Sequence, residues 1–569
     1  MTGGIIQLVA TGVEDLFLTN NPQITFFKIL YRRHTNFSME EIKQSFIHDP
    51  DFGKRTTCTI SKSGDLISNM TLVITLPNLP QIFNIDETID ELTRMAWIRK
   101  IGYGIIKEIE IEIGGKSIDK HYGEWLNIWA ELNGKKNEEV DKMIGNVEEL
   151  YKFTKDKQEY KIFIPLQFWF SRNINLSLPI ICLQYNVVKV NLELEDFNKC
   201  YKVSPTHTIL MDNNICNFKQ DEYIIQEITN YTGNSNYVDI NGTYKAYGQF
   251  TYFDKLTKTL YYTRISKNLF KTCDLTNITD STLQEQEIEK YKITGLTTEY
   301  FAYPHIIQST DTPTSDEQYS LSYQYNPLTN IKIKECFLLI NYIFLDEDER
   351  IYYYKSAHEF LIEQLIYCGE TTIDGVNRNI TIGLYNPIKY IIWTTQQNYL
   401  LELYNNDLFN YTNSYQYNDI LYDKTIYENV FTETYDNTII TYYLKNSGTL
   451  NINYNNKQTG QSLIQESCIL LNSSKRMDEQ TDIYFNNVQT LQYFNYPIQK
   501  GINIYSFSLH PSEFQPSGTC NMSKIDNIQI SVKLDTLVNI NNPVKFKCYG
   551  ISNNILRIAA GLGGLMFVN

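Results

Sequence analysis

Residues 114–117, Gly-Gly-Lys-Ser, could bind a phosphate, because they resemble the end of a phosphate-binding loop. That loop needs another glycine five positions before Gly115, and Glu110 stands there. A carboxylate at this position would repel a phosphate. Two consecutive glycines after a segment of alternating residues are more typical of a tight turn between two strands. The sequence therefore predicts a turn here and no nucleotide site.

Residues 358–359, His-Glu, open a pattern that holds zinc on a helix when a second histidine follows. Ile362 occupies the position of that histidine. The closest two cysteines, Cys200 and Cys216, are too far apart for a zinc finger, and the sequence contains no Gly-x-Ser-x-Gly elbow. The sequence predicts no cofactor, no metal site and no enzyme, although distant carboxylate pairs for glycoside hydrolysis stay open.

Two charged clusters are open to two interpretations each. Residues 346–349 are all acidic and could bind a cation, but a solvated acidic turn at the start of a helix is favoured. Arg32, Arg33 and His34 could contact a phosphate or the carboxylate of a partner, or form a solvated basic turn. Sequons such as Asn410-Tyr-Thr412 are expected by chance in an Asn-rich chain.

Composition bounds the class of protein. The 569 residues carry a net charge of −15, which argues against general or sequence-specific nucleic-acid binding. The length predicts two to four domains with a core that needs no disulfide. The ten cysteines are scattered, as in a reduced cytosolic protein. No stretch resembles a signal peptide or a membrane-spanning helix.

Strict alternation of apolar and polar residues is the dominant pattern. Residues 108–113 place three isoleucines on one face and three glutamates on the other, and residues 188–194 and 528–534 alternate similarly. Such segments are half-buried strands, typical of antiparallel sheets. Further predicted strands cover residues 56–62, 70–76, 161–170, 335–345, 380–394, 438–444, 449–454 and 502–509. The sequence therefore predicts an all-β fold of the sandwich or jelly-roll kind.

Helices are expected only as short inserts between the strands. Apolar residues recur at helical spacing in residues 85–96, 125–132 and 140–147, and residues 347–366 form another candidate. Residues 202–330 and 398–437 are rich in Asn, Thr and Tyr without a fixed period. They are predicted to be long, exposed polar loops, with at most small strands of their own.

Five blocks, in order along the chain, carry a family resemblance. The blocks are residues 3–10, 21–28 and 31–37; residues 164–170, 172–173, 178–180 and 183–185; residues 341–346 and 358–364; residues 505–509 and 515–521; and residues 556–558 and 561–565. They are similar to the major capsid proteins of the large nucleocytoplasmic DNA viruses, the giant-virus group.

This resemblance implies a double jelly roll, that is, two tandem eight-stranded jelly rolls with short helical inserts and long exposed loops. The expected parts are an N-terminal arm, a first jelly roll with a long loop insertion and a second jelly roll with an exposed loop of its own. Their expected bounds are residues 1–30 for the arm, 31–352 with the insertion 202–330 for the first roll, and 353–569 with the loop 398–437 for the second.

The resemblance also implies a structural role in a virion. Three copies would form a pseudo-hexagonal capsomer that tiles an icosahedral shell after assembly in the host cytoplasm. Expected partners are neighbouring capsomers, minor capsid proteins, an internal membrane beneath the shell and host glycans at the exposed loops. Candidate assembly contacts are the apolar arm residues Ile5, Ile6 and Leu8 and the basic residues Arg32, Arg33 and Arg557.

Two alternatives stay open on the sequence alone. The chain departs from the family pattern at Asn386, where a histidine is usual, and at Lys524, where an arginine is usual. Such departures are compatible with a minor capsid paralogue in place of the principal shell protein. The second alternative is a β-sandwich that binds glycans or mediates adhesion through its Tyr-rich loops.

Overall fold

The computed structural model describes residues 3–13, 15–29, 31–82, 92–133, 138–213, 215–231, 242–276, 278, 280–307, 328, 331–401, 405–413, 461–494, 498–540 and 542–567. Within these residues, strands dominate and helices are short. Up to residue 194, the strands are β1 (Phe37–Ser45), β2 (Arg55–Thr59), β3 (Leu66–Leu76), β4 (Arg94–Trp97), β5 (Ile106–Ile113), β6 (Lys116–His121), β7 (Tyr160–Pro165) and β8 (Val188–Leu194).

The chain then leaves this group of strands and forms a separate sheet. The strands of this stretch are β9 (Tyr201–Ser204), β10 (His207–Leu210), β11 (Tyr223–Ile228), β12 (Tyr244–Asp254), β13 (Thr259–Arg264), β14 (Cys273–Asp274), β15 (Ile293–Gly295), β16 (Phe301–Ala302) and β17 (Ile306–Ile307). Of these, β9 pairs with β4, and β14 pairs with β17. Six of them pair in the order β10-β13-β12-β11-β15-β16, here called the insertion sheet. Where the sequence predicts a polar loop, these residues form a sheet with its own apolar core.

The alternation of apolar and polar residues does not predict the strands of the insertion sheet, because tyrosine lies on both faces of this sheet. On β12, Tyr244, Ala246 and Phe250 are buried. Tyr247 is half-buried and Tyr252 is exposed. An aromatic residue at every second or third position hides the period of two that marks a half-buried strand.

The chain returns to the first group of strands with β18 (Glu335–Leu345). This strand lies between β1 and β3 and completes one four-stranded antiparallel sheet, β1-β18-β3-β7. The second sheet has the order β2-β8-β5-β6. The two sheets enclose one core, and Ile109 and Ile111 on β5 are fully buried in it. These eight strands are called the first sandwich.

The rest of the chain repeats this arrangement. Its strands are β19 (His358–Ile373), β20 (Asn377–Thr381), β21 (Pro387–Gln397), β22 (Ile464–Leu471), β23 (Ser474–Lys475), β24 (Gln480–Thr481), β25 (Ile502–Ser506), β26 (Cys520–Asn521), β27 (Ile528–Leu534), β28 (Val544–Ala559) and β29 (Leu562–Leu565). The main sheets are β19-β28-β21-β25 and β20-β27-β22-β23, and they enclose a core of their own. These strands are called the second sandwich.

Both sandwiches therefore have the same strand order. When the eight main-sheet strands of each sandwich are counted in chain order, the first pairs with the eighth, the eighth with the third and the third with the sixth. The opposite sheet has the order second, seventh, fourth, fifth. Two four-stranded antiparallel sheets connected in this way are a jelly roll. The predicted all-β fold with two tandem eight-stranded jelly rolls is confirmed.

The helices connect or flank the strands. They are α1 (Gly3–Val9), α2 (Leu16–Thr19), α3 (Ile101–Gly104), α4 (Gly123–Leu132), α5 (Glu138–Ile144), α6 (Glu148–Tyr151), α7 (Trp169–Arg172), α8 (Ser281–Lys290), α9 (Glu347–Lys355) and α10 (Gln489–Tyr493). Short 3-10 segments span Ile174–Leu176, Ile180–Cys182, Phe197–Lys199, Asn398–Leu401 and Met522–Lys524, and a π-helical turn spans Tyr484–Val488. The predicted helices at 125–132 and 140–147 correspond to α4 and α5, although α5 ends at Ile144.

Three predicted elements are wrong in part. Ala96, predicted to be helical, lies on β4, which pairs with β9. The predicted helix over 347–366 ends at Lys355, and β19 begins at His358. The predicted strand over 161–170 ends at Pro165, because the chain turns into α7.

Other predicted elements differ from the structure in their bounds, or lie outside the described part of the chain. The segment 380–394 contains the connection from β20 to β21. The predicted strands 438–444 and 449–454, residues 85 and 89 of the first predicted helix, and most of the predicted loop 398–437 lie outside the described residues.

Candidate functional site

The N-terminal arm is an exposed apolar surface. Helix α1 contains no buried residue, and the side chains of Ile5, Ile6 and Leu8 are 49%, 55% and 79% exposed. The chain that follows exposes more large apolar side chains, namely Val9, Val13, Leu18, Ile24, Phe26, Phe27, Ile29 and Tyr31. Leaving apolar area in water costs about 25 cal/mol per Å². A contiguous segment of this kind marks an interaction site.

Strand β1 continues the arm and forms an open sheet edge. It pairs with β18 on one side only, and nearly all its residues are exposed, including Phe37 and Met39. An edge strand presents unpaired backbone groups that can join another chain. The exposed apolar side chains of the arm and the open edge of β1 are therefore the candidate docking surfaces among the described residues.

The structure does not bring the predicted basic contacts together. Arg32 and Arg33 are exposed between the arm and β1, and no hydrogen bond or ion pair to another described residue is formed by either side chain. Arg557 lies on β28 of the second sandwich and approaches Glu359 at 3.6 Å, with both side chains more than half exposed. An exposed pair of this kind contributes little to stability, so Arg557 is free to exchange partners.

The junction between the two sandwiches was not predicted. Helix α4 of the first sandwich lies against the outer face of the β19-β28-β21-β25 sheet, and Trp125 and Trp129 pack there with Tyr390, Ile392 and Tyr549. The helix begins at a tight contact, because a Cβ on Gly123 would lie 2.0 Å from the carbonyl oxygen of Tyr103. The helical spacing of the tryptophans indicated the helix but gave no sign of the surface it covers.

Buried charges fix this junction. The Glu124 carboxylate on α4 accepts hydrogen bonds from Lys547 Nζ at 2.6 Å and from the Tyr549 hydroxyl at 3.1 Å. Burial, and next the Glu124 carboxylate, raise the pKa of Tyr549 well above its usual value. The hydroxyl therefore stays protonated and keeps donating.

A second charged group lies on β19. Glu363 accepts hydrogen bonds from Arg172 Nη1 at 2.7 Å and from Lys389 Nζ. Lys389 also donates to the Glu513 carbonyl at 3.0 Å, and its side chain is only 1% exposed. Charges withdrawn from water to this extent need their partners, so each sandwich requires the other to be in place.

A buried aspartate–histidine pair completes the junction. The Asp119 carboxylate on β6 accepts a hydrogen bond from the Leu365 backbone N–H of β19 at 3.1 Å. His121 Nε2 lies 3.0 Å from the other Asp119 oxygen, and both side chains are fully buried. The His121 ring stacks on Phe168. These contacts orient β6 against β19.

The sequence motifs at residues 114–117, 358–359 and 346–349 have structural roles. Gly114 and Gly115 form the turn between β5 and β6 with φ of +59° and +82°, which fits a two-residue hairpin turn. His358 lies on a strand, where its Nε2 hydrogen-bonds to the Tyr353 carbonyl at 2.9 Å. Asp346 caps α9 by accepting a hydrogen bond from the Glu347 N–H at 2.8 Å, as expected for an acidic helix start.

The described residues show neither a metal site nor a membrane-spanning helix. Within the described ranges, no group of three or more His, Cys, Asp or Glu side chains could hold a metal ion. Across the same ranges, the helices are too short or too polar to span a bilayer. Asn410 is buried, and its Oδ1 accepts hydrogen bonds from the Thr412 N–H and hydroxyl at 3.1 and 2.9 Å, so this sequon is closed to a glycan.

Comparisons with family models match both halves of the chain. Residues 25–247 match the family described as the major capsid protein N-terminus. Residues 349–564 match the family described as the large eukaryotic DNA virus major capsid protein.

Full-length relatives give the same result. The chain is 37% identical to the probable capsid protein 4 of Acanthamoeba polyphaga mimivirus, over 100% of this chain and 99% of the relative. It is 29% identical to the major capsid protein of Phaeocystis pouchetii virus, over the whole of both chains. The major capsid protein of Paramecium bursaria Chlorella virus 1 is 25% identical, again over the whole of both.

Solved structures show the fold. The quasi-atomic model of the PBCV-1 virus capsid superposes with a TM-score of 0.56 at 21% identity, covering 96% of this chain and 100% of that one. The Faustovirus major capsid protein superposes with a TM-score of 0.56 at 12% identity, covering 96% of this chain and 94% of that one. At these identities the likeness concerns the double jelly roll alone.

Proposed function

Because this chain belongs to the family of major capsid proteins of large eukaryotic DNA viruses, we propose that three copies of it form one capsomer of pseudo-hexagonal outline. The chain is a structural capsid protein, and it is located in the capsid shell of the virion, where capsomers assemble side by side. We place the assembly of the capsomer in the host cytoplasm.

The observation that carries the trimer is the repetition of one strand order in two sandwiches. Each copy contributes two similar blocks, held in a fixed relation by the buried contacts of Glu124 and Glu363. Three copies around an axis place six similar blocks in a ring. An obligate interface between such copies typically buries more than about 2,000 Å² of surface.

The proposed domain division follows the order of the two sandwiches along the chain. Residues 1–30 are the arm, residues 31–352 the first jelly roll with its insertion at 202–330, and residues 353–569 the second with its loop at 398–437. Helix α9 supports the boundary near residue 352, because it lies between the last strand of the first sandwich and the first strand of the second.

The arm is the proposed docking element. Ile5, Ile6 and Leu8 pack beneath the capsomer against a neighbouring subunit or a minor capsid protein. The support is their exposure and the open edge of β1 that follows. Arg32, Arg33 and Arg557 are proposed to pair with carboxylates of neighbouring copies, because the chain as a whole carries a charge of −15.

The outer loops are the proposed contact for host glycans. Tyr252 and Phe301 on the insertion sheet are 50% and 46% exposed, and exposed aromatic rings can stack on sugar rings. Binding of the chain to a glycan array, lost on Phe301→Ala, tests this contact. We propose neither an enzymatic activity nor sequence-specific binding of nucleic acid, and we place an internal membrane beneath the shell.

Light scattering after size-exclusion chromatography tests the trimer. A stable species of three times the 66.6 kDa chain mass is expected for the purified chain, followed by hexagonal outlines in electron micrographs. A folded monomer at all concentrations would contradict a preformed homotrimer. It would favour the alternative of a minor capsid paralogue that assembles only with a different partner.

A further inference from the structure

Two cysteines lie opposite each other in the second sandwich. Strand β19 pairs with β28, with Tyr367 opposite Tyr549 and Glu370 opposite Lys547. The register shifts between these two pairs, so that Cys368 and Gly369 on β19 both lie opposite Cys548 on β28. Gly369 has a φ of +86°, which allows the bulge that brings Cys368 next to Cys548.

The two side chains point to the same side of the sheet. Cys548 is 1% exposed within the core of the second sandwich, and the half-buried Cys368 packs against that core. The Cys368 thiol donates a weak hydrogen bond to the Gly383 carbonyl at 3.9 Å, its proximity raises the pKa of the Cys548 thiol, and both are free thiols in this structure. Directly opposed residues in an antiparallel sheet have their Cβ atoms about 4.5–5.5 Å apart, close to the separation that a disulfide spans.

We propose that Cys368 and Cys548 form an oxidation site, which closes a disulfide across β19 and β28 when the protein meets a small-molecule disulfide such as glutathione disulfide. The site was not indicated by the sequence, because the two cysteines are distant in the chain and neither belongs to a Cys-x-x-Cys motif. It is independent of the proposed trimer.

The reaction consists of two thiol–disulfide exchanges. The Cys368 thiolate, which is the more accessible, attacks one sulfur of glutathione disulfide, forms a mixed disulfide and releases one glutathione thiolate. The Cys548 thiolate then attacks Cys368 Sγ and releases the second. The two protons lost by the protein thiols end on the two glutathione thiols. The protein is thereby oxidised by two electrons, and one glutathione disulfide is reduced.

The second exchange is expected to be the slower one. The neighbouring Cys368 thiol, together with burial, raises the pKa of Cys548 well above its usual value, and the burial persists when Cys368 carries glutathione. Because the thiolate is the attacking species, closure of the disulfide should become faster as the pH rises. The mixed disulfide on Cys368 should accumulate first at neutral pH.

The bond would enclose nearly the whole second sandwich in one covalent loop. A long loop closed in this way stabilises mainly by restricting the unfolded chain. Where the proposed function holds, a shell assembled with reduced thiols in a cytoplasm would gain this stability after release into an oxidising medium. This consequence rests on the proposed function, whereas the bond itself does not.

Peptide mapping of the purified full-length chain tests the proposal. The protein is incubated with glutathione disulfide, its remaining thiols are blocked with N-ethylmaleimide, and it is digested without reductant for mass spectrometry. We expect one cross-linked pair of peptides, containing Cys368 and Cys548. We also expect two blocked thiols fewer than the ten of the untreated chain, and reversal by a phosphine reductant.

Two serine variants provide the controls. Cys368→Ser should abolish the cross-linked pair, and oxidation should then leave the melting temperature unchanged. Cys520→Ser replaces another half-buried thiol of the same sandwich and should behave as the unmodified chain, whose melting temperature rises by at least about 5 °C on oxidation. Stable glutathione adducts without a 368–548 cross-link, or ten free thiols after prolonged oxidation, would overturn the proposal.

Discussion

Glu363 of the second sandwich accepts a hydrogen bond from Arg172 of the first at 2.7 Å, across 191 residues of chain. The same carboxylate contacts Lys389, which is withdrawn from solvent beneath the junction. One acidic side chain therefore neutralises two cations and joins the two sandwiches, each of which has its own core. A rigid relation between the two jelly rolls is what a capsomer of regular outline requires.

Glu363→Gln should destabilise the protein strongly. The substitution keeps the size of the side chain but leaves the buried Lys389 ammonium without a counter-charge. Removing one partner of a buried pair costs about 3–5 kcal/mol, and we expect a loss of that order in the free energy of unfolding by guanidinium chloride.

Glu335→Gln is the matched control for this substitution. Glu335 pairs with Lys43 on the surface, with both side chains close to half exposed, and pairs of this kind contribute less than about 1 kcal/mol. Equal losses in the two variants would show that the contacts of Glu363 do not hold the junction.

Trp125→Ala should uncouple the two sandwiches. Trp125 on α4 is fully buried against the second sandwich, with its ring 6.1 Å from that of Tyr549. Truncation of a buried tryptophan costs about 3–5 kcal/mol. Because the loss falls on the contact between the cores, a single calorimetric transition should split into two.

Leu256→Ala serves as the control for the tryptophan. Leu256 is 96% exposed on the insertion sheet, so its truncation should change stability by less than about 0.5 kcal/mol and leave the transition single. A single, merely lowered transition for Trp125→Ala would mean that α4 does not couple the sandwiches.

Strand positions could be predicted from the sequence wherever one face of a sheet is exposed to solvent. Residues 108–113 and 528–534 alternate clearly, and Ile109 and Ile530 are fully buried as the pattern requires. Strand β19 was mistaken for a helix because both its faces are covered. On one face, Ile362 and Ile366 pack into the cores of the first and the second sandwich. On the opposite face, Leu365 and Tyr367 pack against the apolar cluster around α4, which removes the period of two.

The exposed arm could be predicted from its composition, but the junction could not. The apolar residues of the arm stand close together along the chain, so the sequence itself shows this apolar segment. The pairing of Arg172 with Glu363 is one choice among 50 basic and 65 acidic residues. Only the fold, which places α7 beside β19, selects it.

Acidification should destabilise the insertion sheet through His207. Burial, and next the Arg264 guanidinium, lower the pKa of His207 from 6.5 to about 4. The unfolded chain therefore binds more protons than the folded one between pH 6.5 and 4, and stability falls as the pH falls through this window. The loss can reach about 3 kcal/mol, at about 1.4 kcal/mol for each pKa unit.

Hydrogen exchange of the β12 amides at pH 7 and pH 4.5 measures this effect locally. His207→Gln, which cannot take up a proton, should show a smaller drop in protection than the unmodified chain. His34→Gln in the exposed arm should show the same drop as the unmodified chain. An unchanged drop in His207→Gln would assign the acid sensitivity to other groups.

Deletion of residues 2–24 should separate folding from assembly. The described residues of this segment pack against neither sandwich, and Ile5, Ile6 and Leu8 remain exposed to solvent. The shortened chain should therefore keep the melting temperature of the full chain within about 1 °C, because the described side chains of this segment bury no core area. Its assembly into shells should fail, since the apolar surface that we propose to dock beneath the capsomer is gone.

The control for the deletion replaces Ile5, Ile6 and Leu8 together by serine, which keeps the length of the arm and removes only its apolar side chains. If hydrophobic docking is the role of the arm, the serine variant should fail to assemble as the deletion does. If the arm acts only as a spacer, the serine variant should assemble normally while the deletion does not. Normal assembly of both variants in electron micrographs would remove the arm from the contacts that build the shell.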